Sequence, residues 1–261
     1  MRTITISLWI MVLAVVGLHA GLPARAADRP VNLQNPPPVA KEVMAMPLIA
    51  DPADDAELRI NAALKRLDAN LRKDIAGCKL NDGTPGHWSR EVEATMRGPG
   101  YLSFVIRDNS FCGGPYPSAG TMSIVYDLRT GAPVDWTRLL PPALTGKIAL
   151  ATGMDGTKMV TLASRRLYSL YLAGYDSAIR TPGTDIADED RAACKEAVQE
   201  TGGPPRMMVW LDAKSAGIAV QYDLVHAMQA CALPVVIPIA TLRANGADPA
   251  LLEAIEAAHK G

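Results

Sequence analysis

Apolar and polar residues alternate with a period of two in two long stretches of the chain, 88–106 and 121–128. Successive side chains of a β-strand point to opposite faces, so this pattern predicts strands with one apolar face. The turn sequence Gly98-Pro99-Gly100 joins the strands of the first stretch into a hairpin. A second hairpin region is predicted at 207–224, where the connector 212–217 separates two apolar runs.

One apolar stripe predicts the first helix. Its members follow one another at steps of three or four residues: Ile60, Leu64, Leu67, Leu71 and Ile75. Asp51-Pro52 is expected to begin this helix and Gly77 to end it.

Three further helices are predicted at 159–173, 188–199 and 248–258, the first of them ending at Gly174. Residues 233–239 are predicted to form a last strand, whose two prolines indicate an edge or an irregular position. The predicted fold is α+β: an antiparallel sheet built from two hairpin regions with helices packed on one face, in a single domain over residues 51–261.

The first 26 residues have the features of a signal peptide. Arg2 supplies a positive charge, residues 8–18 form an apolar run, and Ala24-Arg25-Ala26 fits the cleavage pattern. The run is shorter than the ~20 residues that span a bilayer. We therefore expect cleavage after Ala26, a periplasmic or secreted protein, and no integral membrane segment after cleavage. Residues 27–50 are rich in proline and lack an apolar period, which predicts an extended linker.

Four cysteines follow the predicted cleavage point: Cys78, Cys112, Cys194 and Cys231. An even number in an exported chain indicates two disulfides, whereas zinc is disfavoured because no two cysteines lie close in sequence. Three pairings are open. The first hairpin brings Cys78 towards Cys112 and the second brings Cys194 towards Cys231, so these two pairs are favoured.

The formal net charge of −1 offers no general attraction to nucleic acid. The sequence contains no Gly-x-Ser-x-Gly elbow, no His-Glu-x-x-His helix and no phosphate-binding loop, so we expect no metal and no cofactor. His226 follows Asp223 by three residues and could be oriented by it, but a loop histidine with a local hydrogen bond is favoured. No residue is assigned a catalytic role, and a non-enzymatic role is favoured.

Asp108 and Asp127 are an alternative to that conclusion, because glycosidases need only two carboxyl groups ~5–9.5 Å apart. Both aspartates lie at ends of predicted strands. Asp127 also precedes a turn, where aspartate commonly accepts hydrogen bonds from backbone N–H groups. The turn role is favoured over the catalytic one.

The strongest candidate for a binding surface is the loop 108–118, which combines aromatic residues with glycine and proline. Its predicted ligand-binding residues are Phe111, Gly113, Gly114 and Tyr116. Aromatic side chains on a rigid loop give contact area at a low entropic cost, which suits a protein partner or a sugar ring. The alternative is a disulfide-tethered corner of the fold without a ligand.

The segment Ser123-Ile-Val-Tyr-Asp-Leu-Arg-Thr-Gly131 resembles a motif of the extracytoplasmic domain family found in the lysozyme-sensing anti-sigma factor RsiV, and beside polysaccharide deacetylase domains of cell-wall enzymes. A preceding strand at 102–107, Gly113-Gly114-Pro115 and a C-terminal block at 218–242 extend the similarity. The family often has Gly-Ala-His-Pro where this chain has Gly114-Pro115-Tyr116-Pro117. The resemblance implies an α+β fold and a binding or sensing role, without a catalytic residue.

Together these observations predict an exported envelope protein that binds an envelope protein, such as a lysozyme-like enzyme, or a peptidoglycan fragment. A carboxylate-dependent cell-wall glycan hydrolase and a structural envelope protein without a ligand are the alternatives.

Overall fold

Two antiparallel sheets form the centre of the molecule, in a computed structural model that describes residues 26–181, 184, 186–199, 202–222, 224 and 226–261. The predicted signal peptide lies almost entirely outside these residues. The strands are β1 (Leu33–Gln34), β2 (Leu48–Ile49), β3 (His87–Arg97), β4 (Tyr101–Phe111), β5 (Ser118–Asp127), β6 (Ala132–Pro133), β7 (Lys147–Thr152), β8 (Lys158–Ala163), β9 (Met207–Asp212), β10 (Gly217–Tyr222) and β11 (Val235–Pro238). The helices are α1 (Asp55–Gly77), α2 (Trp136–Leu139), α3 (Pro142–Thr145), α4 (Arg165–Ala178), α5 (Arg191–Gln199), α6 (Ile239–Ala244) and α7 (Pro249–Lys260), with short 3-10 turns at Ala26–Asp28, Asp188–Asp190 and His226–Cys231.

The first hairpin region forms a four-stranded sheet in the order β3-β4-β5-β6, and the second forms a five-stranded sheet in the order β11-β10-β9-β8-β7. The predicted single α+β domain with two antiparallel hairpin regions is therefore confirmed, although the two regions form two sheets rather than the one sheet expected. As the prolines indicate, β11 is an edge strand. No helix within the described residues is long and apolar enough to cross a membrane.

The two sheets meet where β9 lies against one face of β4 and β5. The hydroxyl of Ser103 accepts a hydrogen bond from the N–H of Leu211 (3.1 Å), and the hydroxyl of Ser123 donates to the carbonyl of Val209 (3.1 Å). The alternation predicts a solvent-facing side for both serines, but they are 0% and 5% exposed. Strand β8 pairs with only the first part of β9. Beyond that part, the serine hydroxyls form hydrogen bonds with the backbone of β9, and the packing of β9 buries the second face of β4.

Helices cover the outer faces of the sheets. Ile60 and Leu64 of α1 are fully buried in the same apolar core as Phe104 of β4. On the other sheet, the hydroxyl of Tyr171 in α4 donates to the carbonyl of Leu233 (3.1 Å), just before β11. The predicted stripe of α1 is confirmed, although the helix begins after Asp54, whose side chain accepts from the N–H of Glu57, rather than at Asp51-Pro52.

The region 147–178 differs from the predicted helix over 159–173. Lys158–Ala163 is a strand paired with β7, and the helix starts only after Ser164. Gly174, expected to end a helix, lies inside α4, where an added Cβ would lie 2.3 Å from Cγ1 of Val235. This glycine therefore allows the close approach of α4 to β11.

The segment 27–50 also differs from the expected linker, because it packs on the domain. Val31, Met46 and Ile49 are buried, and β1 pairs with β2. Its N-terminal part is fixed by Arg29, whose Nη2 lies 2.9 Å from Oε1 of the fully buried Glu57. The prolines keep the segment extended, but its apolar residues contribute to the core.

Disulfides join Cys78 to Cys112 and Cys194 to Cys231, the pairs favoured from the hairpin argument. The first connects the end of α1 to the end of β4, and the second connects α5 to the turn before β11. Two disulfides indicate an oxidising, extracytoplasmic location.

Candidate functional site

The loop between β4 and β5 projects from the end of the four-stranded sheet. Phe111 is the last residue of β4 and is half-buried opposite His87 of β3. Beyond it, Gly114 is exposed, and 72% of Tyr116 is accessible to solvent, the largest fraction among the exposed large apolar residues. The structure therefore places Tyr116 at the surface and Phe111 at the base of the loop.

Two close approaches fix this loop, which we call the Cys112 loop (residues 112–117). Cys112 is bonded to Cys78, and the backbone of Gly113 lies against the chain that follows Cys78. Gly113 has φ +84°, and an added Cβ would lie 2.9 Å from the carbonyl oxygen of Lys79 and 3.0 Å from the backbone nitrogen of Asn81. Any other residue would be strained here and would clash with backbone. The start of the loop, at Cys112 and Gly113, is thus held against the chain that follows α1.

The neighbouring segment 79–86 is itself a closed turn. Thr84 receives support from Asp82, whose carboxylate accepts from both its N–H (2.9 Å) and its hydroxyl (2.7 Å). These hydrogen bonds hold the pKa of Asp82 below its usual value. Gly86 then passes directly under the disulfide, with an added Cβ 2.6 Å from Sγ of Cys78. The Cys112 loop rests on a second rigid loop.

The two candidate carboxylates lie at opposite ends of the sheet. Asp108 of β4 pairs in register with Gly120, whereas Asp127 pairs with Tyr101. Seven residues along a strand separate these positions by about 24 Å. Because a glycosidase pair requires ~5–9.5 Å, the proposed catalytic pairing of Asp108 and Asp127 is wrong.

Asp108 is instead part of a buried ion cluster. Its carboxylate accepts from Nε (2.7 Å) and Nη2 (2.6 Å) of Arg90 and from Nε1 of Trp88 (3.2 Å), and Arg90 also reaches Asp155 (2.7 Å). The side chains of Arg90, Asp108 and Asp155 are at most 1% exposed. The cluster joins β3, β4 and the turn between β7 and β8, and a substrate has no access to it.

Asp127 performs the turn role. Its carboxylate accepts from the backbone N–H of Arg129 (2.8 Å) and forms an ion pair with the guanidinium of the same residue (3.0 Å). The hydrogen bonds that the guanidinium donates to this carboxylate raise the pKa of Arg129. Asp223, the proposed partner of His226, lies outside the described residues, and the side chain of His226 is not described, so that arrangement stays a prediction.

The Tyr-Asp-Leu-Arg-Thr-Gly segment lines a surface cleft of about 550 Å³ together with α2 and the start of α7. Tyr101, Arg138 and Asp248 come from distant segments of the chain, so no sequence pattern identified them as parts of one site. Burial raises the pKa of Tyr101, with Arg129 opposing this effect. The three lining aspartates are all engaged by backbone N–H groups: Asp127 by Arg129, Asp135 by Thr137 and Asp248 by Leu251. This cleft is suited to binding rather than to acid–base chemistry.

No cluster of histidine, cysteine, aspartate and glutamate suitable for a metal ion occurs within the part of the chain that the structure describes. Nothing in the Cys112 loop or the cleft is arranged as a nucleophile with a base. The candidate site therefore consists of the Cys112 loop and this cleft, on an α+β domain with two disulfides.

Comparison with known proteins identifies this fold. No family model matches the chain, and no curated protein matches it. Among solved structures, the chain is similar to a DUF3298 family protein from Pseudomonas aeruginosa PAO1, with a TM-score of 0.52 and 12% identity over 86% of this chain and 98% of that one. A DUF3298 family member from Bacteroides fragilis matches with a TM-score of 0.45 and 14% identity over 75% of this chain and 70% of that one. DUF3298 is the RsiV-like domain family. The chain is therefore similar in fold to the family that the motif at 123–131 resembles.

Proposed function

We propose that this protein is a periplasmic or secreted binding protein that recognises a protein partner of the cell envelope through its Cys112 loop. The observation that carries the proposal is Tyr116, which is 72% exposed on a loop fixed by the Cys78–Cys112 disulfide and by the close approach of Gly113 to Lys79. The two disulfides support the extracytoplasmic location.

Rigidity is what makes this loop suited to binding. A flexible loop loses conformational freedom when it binds, and that cost is subtracted from the affinity. The disulfide at Cys112 and the close approach of Gly113 to Lys79 restrict the start of the Cys112 loop already on folding, and two prolines restrict the backbone on either side of Tyr116. An exposed tyrosine adds a large contact area with few rotatable bonds, and tyrosine is frequent among the residues that dominate binding energy.

A lysozyme-like enzyme is the partner that we favour, because the motif at 123–131 resembles the domain of a lysozyme-sensing protein. Tyr116 stands where that family often has histidine. The contact made by the histidine therefore does not transfer, and the tyrosine ring supplies its own apolar and hydrogen-bonding surface. A peptidoglycan fragment is the second candidate for the same surface.

Calorimetric titration of the oxidised protein with a purified lysozyme tests this proposal. We expect saturable one-to-one binding, and Tyr116→Ala should weaken it about 30-fold, since hot-spot residues contribute ~2 kcal/mol or more. Leu58→Ala is the control, because Leu58 is also exposed (53%) but lies about 30 Å along α1 from Cys78.

Two results would contradict the proposal. Absence of binding to lysozyme removes that partner, and binding of a soluble peptidoglycan fragment would then transfer the surface to the second candidate. If neither ligand binds, or if Tyr116→Ala and Leu58→Ala have the same effect, the Cys112 loop is a structural corner. Equal effects of the two variants on a retained binding would place the binding surface elsewhere, whereas the absence of binding to either ligand would favour a structural envelope protein without a ligand.

A further inference from the structure

A second groove lies between helix α1 and the β7–β8 hairpin. It has a volume of about 610 Å³, and its walls are formed by one face of α1 and by the turn residues Gly156, Thr157 and Lys158. Tyr126 of β5 contributes to its lining. We refer to it as the α1 groove. It shares no lining residue with the Cys112 loop.

The α1 groove is basic. Arg66 and Lys73 lie on its helical wall and Lys158 on the opposite wall, and no acidic residue belongs to its described lining. None of these three cations forms an ion pair with another residue of the described ranges, in contrast to Arg29, Arg90 and Arg129. Three unpaired positive charges thus face one groove of a chain with a formal net charge of −1.

Two nearby carboxylates, Asp68 and Asp155, are withdrawn from the groove, whereas Asp74 is exposed beside Lys73 on α1 but does not belong to the lining. Asp68 of α1 is 6% exposed and accepts from the N–H of Met46 (3.0 Å). Asp155, next to Gly156, is 2% exposed and paired with Arg90. Both carboxylates point into the fold, while the cations remain at the solvent side.

The spacing of the cations selects an elongated ligand. Arg66 and Lys73 are seven residues apart on one helix, a rise of about 10 Å. Arg59 continues the same line by another seven residues towards Thr130, whose carbonyl oxygen it contacts at 3.1 Å. A single phosphate group could engage only one of these positions, and a polymer charged at every unit would leave most of its charges unpaired. Widely spaced negative charges fit the spacing best.

The polar groups of the groove favour a sugar over a peptide. Extended peptides dock mainly through backbone hydrogen bonds to a sheet edge. The wall here is a helix, whose backbone groups are already bonded, and the opposite turn is closed by hydrogen bonds from the N–H of Gly153 to the carbonyl of Thr157 (2.8 Å) and from Gly156 to Gly153 (3.0 Å). Side-chain groups such as the amide of Asn70 are available instead, with small apolar surface from Ala63 and Leu67 between the cations.

One further polar group remains unsatisfied in this wall. Thr157 is only 7% exposed, and its hydroxyl has no hydrogen-bond partner among the described residues. The hydroxyl oxygen is buried beneath the surface of the groove, so the contacts to a ligand come from the three cations rather than from this group.

We propose that the α1 groove binds an acidic oligosaccharide with widely spaced carboxylates. The carboxylates pair with Arg66, Lys73 and Lys158, and the sugar rings lie over Ala63 and Leu67. The proposal is independent of the Cys112 loop and of its partner.

The test compares two double variants of helix α1 that remove the same charges. Arg66→Gln/Lys73→Gln changes the groove, and Lys65→Gln/Arg72→Gln changes exposed residues of the same types one position earlier, outside the groove. Glutamine is a good helix former, so both variants should fold. Lys158→Gln tests the opposite wall separately.

The probe is a hyaluronan hexasaccharide, which carries a carboxylate on every second ring, with chitohexaose as the neutral comparison. Binding is measured by calorimetry at low and high salt. We expect binding of the acidic probe alone, weakened by salt because the charges are exposed. Arg66→Gln/Lys73→Gln should reduce the affinity about tenfold, and Lys65→Gln/Arg72→Gln should leave it within about twofold.

Several outcomes would overturn the proposal. Equal losses in the two double variants would show that only net charge matters. Equal binding of chitohexaose would remove the role of the carboxylates, and tighter binding of inorganic polyphosphate would replace the sugar by a dense polyanion. No binding of the acidic probe at low salt would dismiss the site. Each result is separable from the lysozyme titration, because Tyr116→Ala leaves the groove unchanged.

Discussion

Arg90 is the residue whose replacement should destabilise the fold most directly. Its guanidinium makes two hydrogen bonds to Asp108 and one to Asp155, all between 2.6 and 2.7 Å, and its side chain is 0% exposed. Burial by itself would lower the pKa of Arg90, but the hydrogen bonds and charges of Asp108 and Asp155 outweigh it and raise the pKa above its usual value. The guanidinium is thus charged wherever the protein is folded.

The size of the effect follows from what Arg90→Met would leave behind. Two carboxylates would remain buried without their cation, and removal of one partner from a buried ion cluster costs ~3–5 kcal/mol. Solvent does not weaken the interaction of these charges, because the side chains of the cluster are at most 1% exposed. Whole domains are stable by only about 5–15 kcal/mol, so the variant should retain a reduced but measurable free energy of unfolding.

Urea denaturation at neutral pH measures this loss. Arg107→Met is the matched control, because Arg107 lies on β4 next to Asp108 and pairs with Glu93 of β3 at 3.4 Å, but is 42% exposed. An exposed pair of this kind contributes at most ~1 kcal/mol. If Arg90→Met costs no more than Arg107→Met, the buried cluster does not stabilise the fold in the way described here.

Two further substitutions test buried contacts in other parts of the fold. Burial raises the pKa of Asp68 above its usual value of 3.8, although the Met46 N–H, Arg72 and Arg90 act to lower it. The wild-type protein therefore loses stability as pH rises through this raised pKa. Asp68→Asn, which keeps an acceptor for Met46, should therefore be the more stable protein in urea at pH 7, with a difference that vanishes below 3.8; a less stable variant at pH 7 contradicts this reasoning. Gly174→Ala should destabilise by ~1–3 kcal/mol because its methyl group would meet Val235 at 2.3 Å, even though alanine is the better helix former by ~1 kcal/mol; unchanged thermal stability would show that α4 does not pack so closely on β11.

The sequence predicted the elements in which a single apolar period, helical or strand-like, continues along the whole element. The stripe of α1 and the alternation in β4 and β5 each identify the element and its apolar face. The start of α7 was also predicted, since Asp248 caps it by accepting from the N–H of Leu251 (3.1 Å). In these elements, local preference and tertiary packing favour the same structure.

The β7–β8 hairpin was missed for a physical reason. Residues 158–163 are apolar at positions that fit a strand and a helix equally, and the true helix follows directly after Ser164. A signal was available in Asp155-Gly156, a dipeptide typical of hairpin turns, and Gly156 has φ +73° in the structure. The same error made Gly174 look like a helix end.

The two candidate sites also differ in how far the sequence could predict them. The Cys112 loop is continuous in sequence, so its position could be predicted from its cysteine, glycines and tyrosine. The α1 groove could not, because Arg66 and Lys158 are 92 residues apart and meet only when the β7–β8 turn packs beside α1. The separation of Asp108 from Asp127 likewise depends on strand register, which no residue pattern showed.

The near-neutral composition also conceals how the charges are distributed. Many carboxylates are used inside the fold or at helix ends: Asp108 and Asp155 hold Arg90, Glu57 holds Arg29, and Asp54, Asp135 and Asp248 cap helices. Arg66 and Lys73 of α1 are not paired with carboxylates in this way. Both remain on the helix surface without an ion-pair partner among the described residues. A chain with 26 basic and 27 acidic residues can therefore present a basic groove. The net charge argues against general attraction to polyanions, but it does not argue against one site that selects a ligand by the spacing of its charges.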